Sequence, residues 1–183
     1  KAEVNRGSCT IASLSINTKT LYMNTFLLGD AGFLIIRDSR VIFKSEDMLK
    51  SWNLPYQIGI GDRSNVVDHP MFGSQRQFKL QFNDVIIIGS DGLFDNLFDD
   101  YILKIVKWYT KRKFAAPWSQ RSYTQLARGM AKVLTIDAKK NGETRNRKIL
   151  TPFGMELYEK RKLVHFGGKN DDTTVVVAIV AYD

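Results

Sequence analysis

The 183-residue sequence has a single cysteine, Cys9, so no disulfide can form within it. A lone thiol fits a reducing compartment. Set among Gly7, Ser8, Thr10 and Ala12, it reads as a side chain packed in a strand rather than a nucleophile. The two histidines, His69 and His165, are isolated, and neither has a zinc-ligand spacing. Composition leaves a Ser/His/Asp triad open, but no Gly-x-Ser-x-Gly elbow is present. Gly167-Gly168-Lys169 lacks the spacing and following helix of a phosphate-binding P-loop. No apolar run approaches the ~20 residues that span a bilayer. The first residues, Lys1-Ala2-Glu3-Val4-Asn5, carry neither a signal peptide's apolar region nor an initiator Met. The expectation is an intracellular protein without a membrane span, with further sequence upstream. There is no internal repeat, low-complexity tract or convincing linker.

What is present suits a globular domain. Hydrophobic residues make up 44% and charged residues 25%, enough of each for one soluble core. The formal charge is +8, and it is uneven. Between Lys104 and Lys169 fall 17 of the 27 Lys and Arg, with four acidic residues; the remainder carries 10 basic and 15 acidic. Such a half could bind nucleic acid, anionic lipid or acidic protein, or form a solvated helical face. No nucleic-acid motif accompanies it, which favours the solvated face over nucleic acid and leaves protein assembly as a further use.

Ser8 to Ile16 is rich in Ile, Thr and Ser and predicts a strand. Asn17-Thr18-Lys19 turns, and Leu21 to Leu28 returns. Gly32 to Ile36 and Val41 to Phe43 follow around an Asp38-Ser39 turn. Such short connections imply antiparallel pairing. Residues 46–74 read as a long irregular connection with a brief strand at Tyr56 to Ile60. Phe78, Leu80 and Phe82 alternate with polar neighbours, as in a half-buried strand. Asn83-Asp84 turns the chain into Val85-Ile86-Ile87-Ile88, a strand buried on both faces. A helix is expected after Asn96, capped by Asp99 or Asp100 and ending at Lys111-Arg112-Lys113. Its apolar stripe is Ile102, Ile105, Val106 and Tyr109. A second helix is expected from Ser122, with Gln125 completing a capping box, to Asn141-Gly142. A short helix around Phe153 to Arg161 and a β-branched strand from Thr173 to Val180 complete the reading. The order strands, helices, strand predicts an α+β fold with helices on antiparallel sheet.

Acidic residues recur at strand edges. Asp30 falls between the second and third strands, and Asp91 and Asp95 follow the buried strand. Asp171 and Asp172 precede the last one. Asp91 and Asp95 have two readings: a turn starter and a helix cap, or ligands of a hard cation. If the edges meet, the carboxylates repel one another without cations. Two ions about 3.5–4 Å apart would bridge them and generate a nucleophilic water for phosphoryl transfer. An oxygen-only donor set suits Mg²⁺ or Mn²⁺ better than Zn²⁺.

Ser90-Asp91-Gly92-Leu93-Phe94-Asp95-Asn96, with Gly168-Lys169-Asn170-Asp171-Asp172-Thr173-Thr174-Val175, resembles the C-terminal half of a metal-dependent protein phosphatase of the PPM (type 2C) family. Gly7-Ser8-Cys9-Thr10-Ile11-Ala12 resembles that family's strand entry. Gly29-Asp30-Ala31-Gly32-Phe33-Leu34 resembles its Gly-Asp-Ser segment, with Ala31 in place of the usual Ser. Asn53-Leu54-Pro55-Tyr56-Gln57-Ile58 and Thr151-Pro152-Phe153 resemble the compact, often mitochondrial branch. The motifs run in the family's order across nearly the whole chain.

The resemblance implies two packed antiparallel sheets flanked by helices, with residues 1–183 forming one domain that is incomplete at its N-terminus. It also implies a Ser/Thr phosphatase acting on phosphorylated proteins, in which metal-activated water attacks phosphorus without a phospho-enzyme. Asp91 and Asp171 would be ligands of two catalytic Mg²⁺ or Mn²⁺ ions. Asp30 and Asp95, with Asp91, would form a possible third site, and Gly92 and Asp172 would support. The family's first metal motif, an acidic residue and then Asp-Gly, and its phosphate-binding arginine should precede Gly7. They do not occur here, so this chain holds half a site. The other reading is a catalytically silent phosphatase-fold subunit, serving as a scaffold through its basic half.

Overall fold

The computed structural model describes residues 7–60, 68–111, 120–144, 146 and 148–181. The strands are β1 (Gly7–Cys9), β2 (Ile11–Ile16), β3 (Tyr22–Leu28), β4 (Gly32–Arg37), β5 (Arg40–Lys44), β6 (Leu49–Ser51), β7 (Leu54–Pro55), β8 (Ile58–Ile60), β9 (Ser74–Lys79), β10 (Val85–Gly89) and β11 (Val175–Ile179). The helices are α1 (Asp91–Phe94), α2 (Asp99–Lys111), α3 (Gln120–Glu143) and α4 (Pro152–Arg161). This is the expected α+β class. The chain divides into two compact units, Lys1–Gly32 with Ser45–Leu80 and Phe33–Lys44 with Gln81–Asp183.

The first unit is built on the three-stranded sheet β2-β3-β9, antiparallel throughout, with Met23 opposite Ile16 on one side and Phe78 on the other. Along β3, Met23, Thr25 and Leu27 are buried while Tyr22 and Asn24 are exposed, the period-2 alternation of a half-buried strand. The strand starts one residue later than expected because Leu21 has a left-handed φ of 55°. The Asn17 carboxamide accepts the Lys19 and Thr20 amides at 3.0 Å each and forms the turn. The expected strand from Ser8 to Ile16 is broken at Thr10, because its two parts pair differently: β1 with β8, β2 with β3. The connection read as irregular contains the β6-β7 hairpin, which turns through Asn53 at φ 55°. The alternation through Phe82 also outruns its strand. β9 ends at Lys79, the Leu80 amide donates to the Leu21 carbonyl at 2.9 Å, and Phe82 lies outside the sheet.

The second unit carries the sheet β11-β10-β4-β5. β4 and β5 form a hairpin whose turn residues, Asp38 and Ser39, both have positive φ, the requirement of a tight hairpin turn. β10 runs antiparallel to β11, from Val85 opposite Ile179 to Gly89 opposite Val175. The end of β10 therefore lies beside the start of β11. Leu34, Ile36, Val85 and Ile87 from the sheet pack with Leu93, Leu97, Ile102, Val106, Leu126, Met130, Leu134 and Ala138 in one buried cluster. Each fully buried aliphatic side chain contributes about 1.5–3 kcal/mol.

Asp84, read as a turn residue, is fully buried. Arg37 donates to both its oxygens, Nε at 2.8 Å and Nη2 at 2.7 Å, and the Gln81 amide donates to it at 2.8 Å. This bidentate pair offsets the desolvation of the carboxylate.

The helices differ from expectation at their ends. Asp99 and Asp100 lie in the first turn of α2, favourably placed for the helix dipole. Arg112 and Lys113, expected at its other end, lie outside the described residues. α3 begins by Gln120, so Ser122 is already inside the helix and the capping box with Gln125 does not form. α3 also runs through Asn141-Gly142 to Glu143. Gly142 stays in the last turn because its bare Cα lets Lys169 approach; a Cβ would lie 2.8 Å from the Lys169 carbonyl oxygen. α4 has a full cap. Thr151 Oγ1 accepts the Gly154 amide at 3.3 Å, Pro152 opens the helix, and Lys162 ends it in the left-handed conformation.

Candidate functional site

β10 leaves the sheet at Gly89, and Ser90 binds its end to the approach of β11. The Ser90 amide donates to the Thr174 carbonyl at 3.1 Å. Ser90 Oγ donates to the Asp172 carbonyl and accepts the Thr174 amide, both at 3.1 Å. α1 begins at once with Asp91, and its C-cap is Asp95. Asp95 therefore does not open the next helix, which starts at Asp99, and the capping alternative for this residue fails. Gly92 packs against the other segment so closely that a Cβ would stand 2.4 Å from the Asp172 carbonyl oxygen.

Asn96 completes the join. It is 1% exposed, and its Nδ2 donates to the Gly92 and Lys169 carbonyls at 3.0 and 2.8 Å. Its Oδ1 accepts the Lys169 amide at 3.0 Å. Asn141 of α3 donates to the Asn96 carbonyl at 3.0 Å. The backbone of residue 169 is thus fixed on both its polar groups by one buried carboxamide.

This frame brings three of the sequence-identified carboxylates to one point. Lys169 Nζ lies 2.6 Å from Asp91 Oδ2, 3.0 Å from Asp95 Oδ2 and 3.5 Å from Asp171 Oδ2. Burial works against the ammonium's charge, but Asp91 and Asp95 outweigh it and raise the Lys169 pKa above its ordinary value. The Phe153 ring stands 6.0 Å from the same nitrogen, and the Phe153 amide donates to the Asp95 carbonyl at 3.0 Å. Asp172 enters through its backbone: its amide donates to Asp171 Oδ1 at 2.9 Å and its carbonyl accepts from Ser90. Asp30 lies between β3 and β4 and belongs to the first unit, whereas the other three carboxylates belong to the second.

The sequence reading assigned no role to Lys169, Asn96 or Phe153. Lys169 had one available signal: it stands two residues before Asp171-Asp172. Asn96 follows Asp95 directly, but nothing in the sequence marks it as buried.

The donor chemistry fits a hard divalent cation. Every donor is a carboxylate oxygen, no His or Cys takes part, and the group already surrounds one positive charge. Three carboxylates against one ammonium leave two formal negative charges. Among the described residues, however, no three His, Cys, Asp or Glu side chains stand close enough to hold a metal by themselves. Also among the described residues, no helix is long and apolar enough to cross a membrane.

No protein-family model matches the chain. Individual proteins do. It is 32% identical over 182 residues to the protein phosphatase PTC7 homolog fig of Drosophila willistoni, covering 96% of this chain and 53% of that protein. It is 30% identical over 179 residues to the protein phosphatase PTC7 homolog of Danio rerio, covering 96% and 56%. It is likewise 30% identical to the probable protein phosphatase 2C 55 of Arabidopsis thaliana, covering 97% of this chain and 34% of that one. The chain thus spans about half the length of the PTC7 relatives it matches. In fold it superposes on the photosystem II phosphatase PBCP with a TM-score of 0.75 at 24% identity, covering 97% of this chain and 66% of that one. The chain thus has a PP2C-like fold and is similar in sequence, over about half their length, to the PTC7 homologues among the PP2C (PPM) phosphatases.

Proposed function

We propose that these residues form part of a metal-dependent Ser/Thr phosphoprotein phosphatase domain, with Asp91 and Asp171 as ligands of Mg²⁺ or Mn²⁺. Asp95, with Asp91, is assigned to a further, weaker site. One observation carries this reading: Asp91, Asp95 and Asp171 converge on a single cation where β10 and β11 meet. A divalent cation bound there supplies a water acidified enough to act as nucleophile near neutral pH. The chain's own residues do the positioning. Ser90 and Gly92 hold the Asp91 turn against the Asp171 segment. Asn96 fixes the backbone between them. The Phe153 amide holds the backbone of Asp95. Similarity to named protein phosphatases supports a phosphorylated protein as the substrate.

A second reading is a phosphatase fold that serves as a scaffold without catalysis. It is favoured by Lys169, which already supplies the carboxylates with a positive charge. Phosphate release from a phosphoserine peptide decides between them, measured with Mn²⁺, with chelator, and with Asp91→Asn. The enzyme reading expects activity that requires metal and falls by orders of magnitude in the variant. Absence of activity in every condition selects the scaffold, and equal activity in all three defeats the metal mechanism.

A further inference from the structure

We infer that Lys169 is a built-in placeholder cation, which assembles Asp91, Asp95 and Asp171 before a divalent ion arrives and withdraws when one binds. The inference rests on the reading that these carboxylates are metal ligands.

The carboxylates come from the start of α1, its C-cap and the lead-in to β11. Ser90 and Asn96 hold the backbones of these segments together, and a cation offsets the mutual repulsion of the three carboxylates. Lys169 is that cation, at 2.6, 3.0 and 3.5 Å from the three. A divalent ion takes carboxylate oxygens at about 2.0–2.6 Å. It therefore needs the position that the ammonium holds, and the two positive charges cannot share it.

The structure gives the side chain freedom to leave. Its backbone is held separately, amide and carbonyl both bonded to Asn96. The four-carbon stem is flexible, and the side chain is 20% exposed, so it has a path to solvent. Charge favours the exchange, since one ammonium leaves two negative charges for a divalent ion to neutralise. Lys169 is then a positioning residue. It preserves the ligand geometry of the metal-free protein, and metal affinity reports the competition between the two cations.

The test is Mn²⁺ binding at fixed pH, read from the electron paramagnetic resonance of free Mn²⁺, together with thermal melting. The proteins are the wild type, Lys169→Met, Lys169→Arg and Asp171→Asn. Lys169→Met is expected to bind Mn²⁺ at least about tenfold tighter, the scale set by removing a like charge within about 4 Å. In chelator it is expected to melt several degrees lower than the wild type and to recover with Mn²⁺, while Lys169→Arg keeps the wild-type metal-free melting temperature. A second measurement needs no variant: acylation of the Lys169 amine, followed by mass spectrometry, is expected to speed up several-fold when Mg²⁺ is added. Equal binding and equal melting in wild type and Lys169→Met, or weaker binding in the variant, overturns the placeholder role but leaves the metal reading intact. No Mn²⁺ binding by the wild type overturns both.

Discussion

Asn96 shows how a neutral residue comes to govern a charged site. Its buried carboxamide joins α1 to the segment before β11 by three hydrogen bonds, and its carbonyl accepts a fourth from Asn141. Asn96→Ala removes the first three and leaves both backbone groups of Lys169 without those partners. At about 0.5–1.5 kcal/mol per bond, the expected loss is roughly 2–4 kcal/mol of folding stability, read from urea unfolding. A loss below about 0.5 kcal/mol would show that water replaces the carboxamide and that the join lies elsewhere. Asp91, Asp95 and Asp171 were legible because carboxylates at strand edges are costly and therefore noticeable. Asn96 was not, because burial is a property of the folded chain. Asp84 was hidden for the same reason: its partner Arg37 is 47 residues away, and sequence shows only a turn.

At the scale of elements, periodicity located the strands and the helix interiors, while tertiary partners set the ends. β10 and the β4–β5 hairpin follow from a continuous apolar run and a two-residue turn. The start of α3 and the one-turn α1 do not follow from propensity. α1 exists because the chain must turn from β10 toward the Asp171 segment while Leu93 enters the core. The contact between α2 and α3 includes a polar link of similar origin: Tyr101 donates its hydroxyl to Asp137 Oδ2 at 2.7 Å. That bond, with burial and the nearby negative charge adding to it, raises the Tyr101 pKa above its ordinary value. A raised pKa means that the folded state holds this proton more tightly than the unfolded chain. The contribution is therefore fully present below the unfolded pKa, near 10, and is lost as pH rises through the folded value. In paired unfolding curves, the stability advantage of wild type over Tyr101→Phe should be constant at neutral pH and vanish in the alkaline range. Because Tyr101 is 38% exposed, the advantage should be small, about 1 kcal/mol or less. An advantage that persists at high pH would mean that the phenol oxygen acts through packing instead.

At the scale of the whole molecule, charge is segregated within the second unit. The stretch from Lys104 to Lys169 holds 17 of the 27 basic residues and four acidic ones, while the carboxylate cluster lies at the β10–β11 end of the same unit. A phosphoserine adds a charge of about −1.5 to −2, so a peptide bearing it among acidic residues is drawn to a basic surface over longer range than a small phosphate ester. This attraction is screened, since the Debye length is about 10 Å at 0.1 M salt and shorter above it. If the basic stretch guides substrate, KM for an acidic phosphopeptide should rise several-fold between about 0.05 and about 0.3 M salt. kcat, and turnover of p-nitrophenyl phosphate, should hardly change. Lys132 and Lys140 are exposed on α3, so Lys132→Glu with Lys140→Glu should weaken the salt dependence and raise KM at low salt without altering melting. A KM for the acidic peptide that ignores both salt and these substitutions would assign the positive charge to a solvated helical face. The chain's net charge would then act on solubility rather than on the encounter with substrate.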